Sequence, residues 1–193
     1  MMVIGVTGGV GMGKSTCAKL LERRGIAVCD TDELARRVVE PGQPAFEEIR
    51  QEFGSEVIGA DGCLRRDELA KVVFSDAGKR KRLEEITHSR IRDLWQAGVE
   101  AARIEKKTRV AVIIPLLYET DAASHFNFVI CVACSASSQY HRLRVRGWND
   151  DEIDRRIAAQ WLTQTKMDRA DYVVWTEAAE DVHDAQLGRI LKD

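Results

Sequence analysis

Prolines, aromatic residues and long apolar runs are all scarce in this 193-residue chain, which has three prolines and 6% aromatics. The longest apolar run, Val110 to Tyr118, is nine residues, and a membrane helix needs about 20. No terminal stretch has the charged, then apolar, then small-residue layout of a signal peptide. The sequence therefore predicts a cytoplasmic protein with no membrane partner. Charge of one sign is lacking as well: 29 basic and 31 acidic residues leave a net −2. That balance excludes a nucleic-acid binder relying on a basic surface. The five cysteines are an odd number with no framework spacing. Cys131 and Cys134 form a C-x-x-C, but no second Cys or His pair supplies the other ligands of a zinc site. Both fall in the strand-like stretch Phe128 to Cys134, so reduced core thiols are expected.

What is present is an alternation of strands and helices. Apolar runs predict strands at 2–7, 26–29, 110–117, 128–133 and 172–175. Helical patterns occupy 13–24, which Gly25 stops, and a closing stretch at 177–191. Between about 33 and 105 the pattern is mostly helical, broken at Pro41-Gly42-Gln43-Pro44 and at Gly59-Ala60-Asp61-Gly62. Two further helices, 138–146 and 151–168, are expected to hinge at Gly147-Trp148-Asn149. This order predicts an α/β fold: a five-stranded, mostly parallel sheet with helices on both faces. At this length it forms one domain, with a core of 1–32, 106–137 and 169–193. The segments 33–105 and 138–168 are too long for simple crossovers and become a substrate-binding module and a lid.

The strongest motif is Gly8-Gly9-Val10-Gly11-Met12-Gly13-Lys14-Ser15, which fits G-x-x-x-x-G-K-[ST] between a strand and a helix. Chance would place it in such a chain on the order of 1% of the time at ordinary glycine usage, before the strand–helix context is counted. Glycines let the backbone wrap a phosphate closely, and the amides of residues 11–16, Thr16 included, sit at a helix N-terminus that favours anions. Lys14 supplies a charge to the β- and γ-oxygens, and the Ser15 hydroxyl is a ligand for the Mg²⁺ that accompanies ATP. The fold is thus that of P-loop NTPases, which include kinases, switches and motors. Thr165-Lys166-Met167-Asp168 imitates the guanine-reading T-K-x-D of GTPases. It falls in a helical pattern rather than a loop, and no D-x-x-G exists in the chain, so the match is accidental.

Asp30 and Asp32 lie where the second strand ends, the edge at which open α/β sheets bind ligands. Asp32 is the candidate base for an attacking hydroxyl, and Asp30 takes the alternative role of capping the next helix. Arg36, one turn beyond Asp32, is either a contact for an acidic substrate or a solvated surface residue. Arg142 and Arg146 are four apart, on one face of a helix after the fourth strand. Beside the glycine hinge they read as lid arginines that neutralise a transferring phosphoryl, against the alternative of a basic surface balanced by Asp150, Asp151, Glu152 and Asp154.

From end to end the chain resembles the dephospho-coenzyme A kinases. The likeness runs from Ile4-Gly5-Val6-Thr7-Gly8-Gly9 through Asp30-Thr31-Asp32, Val38-Val39-Glu40-Pro41-Gly42 and Phe53-Gly54. It continues at Asp61-Gly62-Cys63-Leu64-Arg65-Arg66, Val73-Phe74-Ser75, Leu83-Glu84-Glu85-Ile86-Thr87-His88 and Pro115-Leu116-Leu117-Tyr118-Glu119. It ends with Gln139, Arg142, Arg146, Gln160, Lys166 and Ala170-Asp171. The resemblance implies transfer of the γ-phosphoryl of ATP to the 3′-hydroxyl of dephospho-coenzyme A. It implies that Asp32 is the base, that Arg146 contacts ATP phosphate, and that Arg65, Thr87 and His88 belong to the acceptor site. Three positions depart from the family: Ser89 replaces the usual Pro, Ile113 a frequent acid, and Trp175-Thr176-Glu177-Ala178 an Asn-x-Gly-like turn near the adenine. Another nucleotide kinase of the same fold and a non-catalytic nucleotide switch are the rival readings. A monomer and a small homo-oligomer are both compatible with the sequence.

Overall fold

The computed structural model describes residues 1–74 and 76–192; Ser75 of the resemblance lies outside them. Its sheet has five parallel strands in the order β2-β3-β1-β4-β5. These are β1 (Met2–Thr7), β2 (Ala27–Asp30), β3 (Arg109–Ile113), β4 (Phe128–Ala133) and β5 (Tyr172–Trp175). Parallel strands covered on both faces need apolar side chains on both, and β1, β3 and β4 are nearly continuous apolar runs for that reason. One face buries Ile4, Val6, Ile113, Ile130 and Val174 against Cys17, Leu20 and Leu21 of α1 (Lys14–Arg23) and Leu187 and Leu191 of the last helix. Full burial of Leu20 or Leu21 contributes about 2 kcal/mol, and truncation of either to Ala costs ~2–5 kcal/mol. On the other face Val3 and Val110 meet Ala102.

The chain folds as two compact units, Met1–Asp30 with Val99–Asp193, and Thr31–Gly98. The second unit is helical: α2 (Thr31–Arg37), α3 (Pro44–Phe53), α4 (Arg66–Phe74) and most of α5 (Ala77–Ile104). Its own core is Val38, Val39, Ile49, Phe53, Val57, Leu69, Val73 and Ile86. The predicted breaks have defined shapes. Gln43 is extended before Pro44, which opens α3. Gly59 and Gly62 turn a short antiparallel bridge, Ile58 with Leu64, closed by Gly59 N–H on Cys63 O at 2.8 Å.

The first unit continues with α6 (Ala136–Val145), α7 (Asp150–Ala158), α8 (Thr163–Arg169) and α9 (Glu180–Leu191). Two expectations need correction. The third strand ends at Ile113, not 117, because Pro115 has no N–H for a ladder, and residues 115–121 turn instead, with Thr120 N–H on Leu116 O at 3.0 Å. The helix expected over 151–168 is two helices. Between them Leu162 is extended, the Trp161 N–H donates to Glu119 Oε1 at 2.9 Å, and Gln160 Oε1 accepts from the Val10 N–H at 3.1 Å. These outside partners replace the helical bonds that the periodicity alone would assign. Gly147, between α6 and α7, has φ +88°. No helix among the described residues is long and apolar enough to cross a membrane.

Candidate active site

The loop Gly8–Gly13 leaves the C-terminal end of central strand β1 and enters α1 at Lys14. Gly8 has φ +146°, and a Cβ there would lie 2.3 Å from the Val132 carbonyl oxygen, so no other residue fits. Gly13, at φ +101°, caps α1, and its missing Cβ leaves room for Thr176. Neighbouring side chains hold the loop's backbone. Gln139 Nε2 donates to Val10 O at 2.7 Å while Gln160 accepts from Val10 N–H, so two side chains grip one residue. Thr176 Oγ1 donates to Met12 O at 2.9 Å. The amides of Gly11, Gly13 and Ser15 have no hydrogen-bond partner among the described residues, which leaves three donors for a bound anion. Lys14 Nζ folds back onto Gly8 O and Gly9 O at 2.8 and 2.9 Å.

Beside the loop lies a cavity of about 500 Å³, whose walls include Gly11, Gly13, Thr16, Arg142, Arg146 and Thr176. The two lid arginines of the sequence thus share one cavity but stand in different states. Arg142 donates to Thr176 Oγ1 at 2.9 Å, to the Thr176 carbonyl and to Gly11 O at 3.4 Å. Its guanidinium is a fixed wall. Arg146 caps the C-terminus of α6 and is exposed, and its side chain makes no hydrogen bond or ion pair among the described residues. It is the available cation. His183, buried in α9, lines the same cavity, and its Nε2 has no partner among the described residues. Burial holds its pKa below the usual histidine value, so it is neutral near pH 7.

The segment that departs from the family after β5 is fixed by Glu177. Its Oε1 accepts from Ser135 N–H at 3.1 Å, from the Ser135 hydroxyl and from Ser138 Oγ at 2.7 Å, and its Oε2 accepts from Trp175 Nε1 at 2.9 Å. These donors, Ser135 first, pull its pKa down to about 2. The clasp secures the start of α6 to the loop that carries Thr176. Sequence reasoning marked Thr176 and Glu177 only as a departure from the family's turn and gave neither a role, although their place after a strand's C-terminal end is where ligand contacts arise.

Lys166 is completely buried in α8, donating to Pro115 O at 2.6 Å and pairing with Glu119 at 2.7 Å. Thr165-Lys166-Met167-Asp168 therefore reads no base. Cys131 and Cys134 are buried free thiols, and burial raises the Cys131 pKa to about 11. Ser15 is exposed in the first turn of α1. No group of three or more His, Cys, Asp or Glu able to hold a metal occurs among the described residues. A lone hydroxyl beside a phosphate loop fits Mg²⁺, which retains water and is carried largely by substrate phosphates.

The second unit holds the other candidates. Asp32 and Arg36 are exposed, one turn apart on α2, which begins directly after β2 with Asp30 preceding it. Arg65 pairs with Glu68 at 3.3 Å. Thr87 and His88 line a separate cavity of about 320 Å³, where Arg66 rather than Arg65 supplies the guanidinium. Thr87 Oγ1 is committed to Leu83 O at 2.8 Å.

A family model described as dephospho-CoA kinase matches residues 2–181. A dephospho-CoA kinase of Bdellovibrio bacteriovorus is 39% identical over 192 residues, covering 100% of this chain and 96% of the relative. That of Anaeromyxobacter dehalogenans is 42% identical over 196 residues, covering 100% and 92%. Among solved structures, TT1252 from Thermus thermophilus matches with a TM-score of 0.84 and 33% identity over 99% of this chain and 97% of that one. A shikimate kinase from Aquifex aeolicus shares the fold, with a TM-score of 0.54 and 17% identity over 99% and 96%. With the phosphate loop, its free amides and the adjoining cavity in place, this match over nearly the whole length makes the chain a member of the dephospho-CoA kinase family.

Proposed function

We propose that this chain transfers the γ-phosphoryl of ATP to the 3′-hydroxyl of dephospho-coenzyme A, giving ADP and coenzyme A, the last step of coenzyme A biosynthesis. The observation that carries the nucleotide half is the set of unpartnered amides at Gly11, Gly13 and Ser15, set beside a cavity large enough for a nucleoside. ATP phosphates bind these amides, and Lys14 moves from the Gly8 and Gly9 carbonyls to the β- and γ-oxygens. Adenosine occupies the cavity against the fixed Arg142. Arg146 reaches the transferring group when the lid closes about Gly147, and charge stabilisation by preorganised donors lowers the barrier. The Ser15 hydroxyl would hold the Mg²⁺ that accompanies ATP, and the ion would supply neutralisation of phosphate charge there. Asp32 accepts the proton of the acceptor hydroxyl, with Arg36 beside it for the acceptor's own phosphates. The reaction is placed in the cytoplasm, in keeping with five free cysteines.

Product analysis tests the reading. Incubation with ATP, Mg²⁺ and dephospho-coenzyme A is expected to give ADP and a new ribose 3′-monoester, one for one, by phosphorus NMR. ADP and inorganic phosphate without the monoester would make the chain a hydrolase or a switch.

A further inference from the structure

The Glu177 carboxylate is exposed, yet both of its oxygens are engaged: Ser135 and Ser138 hold Oε1, and the Trp175 indole holds Oε2. An exposed carboxylate ordinarily points into water. One gathered by charge-assisted donors from two elements fixes those elements relative to each other. We propose that Glu177 is a positioning residue for ATP, setting the wall of the nucleotide cavity by joining the first turn of α6 to the segment that carries Thr176. The inference rests on ATP occupying that cavity, and Glu177 acts through Arg142 and Thr176 rather than on the nucleotide itself.

Spacing along α6 is the first argument. Ser135, Ser138, Gln139 and Arg142 stand at i, i+3, i+4 and i+7, so they share one face of the helix. The two serines meet Glu177, Gln139 meets Val10 O of the phosphate loop, and Arg142 meets Thr176 and Gly11 O. One face thus carries both the clasp and the contacts with the nucleotide site. Thr176 is tied from its own side as well, its N–H to Ala133 O and its hydroxyl to Met12 O, each at 2.9 Å. Glu177 follows Thr176 directly, so a shift of the clasp moves the Arg142–Thr176 wall and the loop carbonyls together.

Chemistry is the second. The Ser135 N–H and the Trp175 Nε1–H can only donate, and they sit on opposite oxygens of Glu177. A carboxylate presents an acceptor to each. Gln presents one acceptor and one NH₂, so one of the two donors is left facing another donor. The Ser135 hydroxyl also gives its proton to Glu177, which frees its lone pair for the Ser138 N–H at 3.3 Å and so completes the cap of α6. The helix does not depend on the clasp to stay docked, because Leu143 is fully buried further along it. Loss of Glu177 therefore displaces the first turn and the 175–178 segment while the helix remains in place. The donors keep the carboxyl ionised far below neutral pH, in keeping with a permanent fastening rather than a switch.

Calorimetric ATP binding and steady-state constants, measured well below the melting temperature, test the assignment. Glu177→Gln is expected to raise Kd and KM for ATP about tenfold or more, the worth of a hydrogen bond to a charged group. At saturating ATP, kcat and KM for dephospho-coenzyme A should stay within about threefold, since the loss lies in ATP binding and not in the transfer step. Ser138→Ala removes one donor and leaves the others; it should move the ATP constants in the same direction by less, and it serves where Glu177→Gln does not fold. Adding Trp175→Phe to Glu177→Gln lets the amide turn its NH₂ to water while its oxygen keeps the serines, so this pair should recover part of the lost ATP affinity. A lowered melting temperature with unchanged ATP constants would make the clasp purely structural. A double variant that recovers nothing would mean that the pairing of donors does not set the site. Either result overturns the inference. Wild-type protein that binds no ATP would instead sink the nucleotide reading itself.

Discussion

At Asp32 a carboxylate in the first turn of a helix has two possible uses, and one substitution separates them. Acidic residues are favoured there by the helix dipole whatever else they do. Asn keeps the shape and still accepts hydrogen bonds but cannot take a proton. Asp32→Asn is expected to lower kcat at least ~10²-fold, the low end for general-base catalysis, with melting temperature and ATP affinity unchanged. Asp30→Asn, altering the residue just before α2, is expected to do less to kcat; the reverse order would move the base to Asp30. Arg146 is a second residue whose role a conservative substitution tests. Arg146→Lys keeps the charge but loses the fork, and kcat is expected to fall about tenfold or more, equivalent to one charge-assisted hydrogen bond. Calorimetric binding of dephospho-coenzyme A should be unaltered. Wild-type kcat for the Lys variant would make Arg146 an ordinary surface cation. Arg142 shows why spacing alone did not separate the two: both lie on one helical face, yet only the fold brings Thr176 against Arg142.

At the scale of elements, strands were legible because a parallel sheet demands apolar runs, and β1, β4 and β5 fall on the predicted residues. The ends of α7 and α8 were not. Gln160 and Trp161 leave the helical pattern for partners at Val10 and Glu119 that lie 150 and 42 residues away in the chain. No local period carries that information. The loop after β5 was equally opaque, since the residues at 175–178 differ from the family's turn while Glu177 does the fastening. Its depressed pKa has a pH signature. The unfolded carboxylate takes up a proton near 4.5 and the folded one near about 2. The stabilisation is therefore complete above about 4.5 and is lost as pH falls towards about 2. Glu177→Gln should melt below wild type at pH 6, with the gap closing across that window. A gap constant down to pH 2 would mean that the clasp does not depend on the charge.

For the whole molecule, the phosphate loop was legible from eight residues because its glycines answer to one geometric demand, backbone approach to an anion. The second unit's cavity was not, because α2, α4 and α5 line it with residues far apart in sequence that meet only after folding. Arg65 and Arg66 illustrate this: they are adjacent in the chain, one paired with Glu68 and the other on the cavity wall. In the proposed reaction the amide-lined phosphate loop carries the nucleotide half and Asp32 the acceptor half. The measurement that tests this most directly is acceptor-stimulated ADP release, with dephospho-coenzyme A set against nucleosides, nucleoside monophosphates and shikimate at equal concentration. The account expects kcat/KM for dephospho-coenzyme A to exceed every other acceptor by at least ~10²-fold, since remote parts of a large acceptor supply transition-state binding that smaller acceptors lack. Equal or better turnover of another acceptor, or ADP release indifferent to all of them, would contradict it.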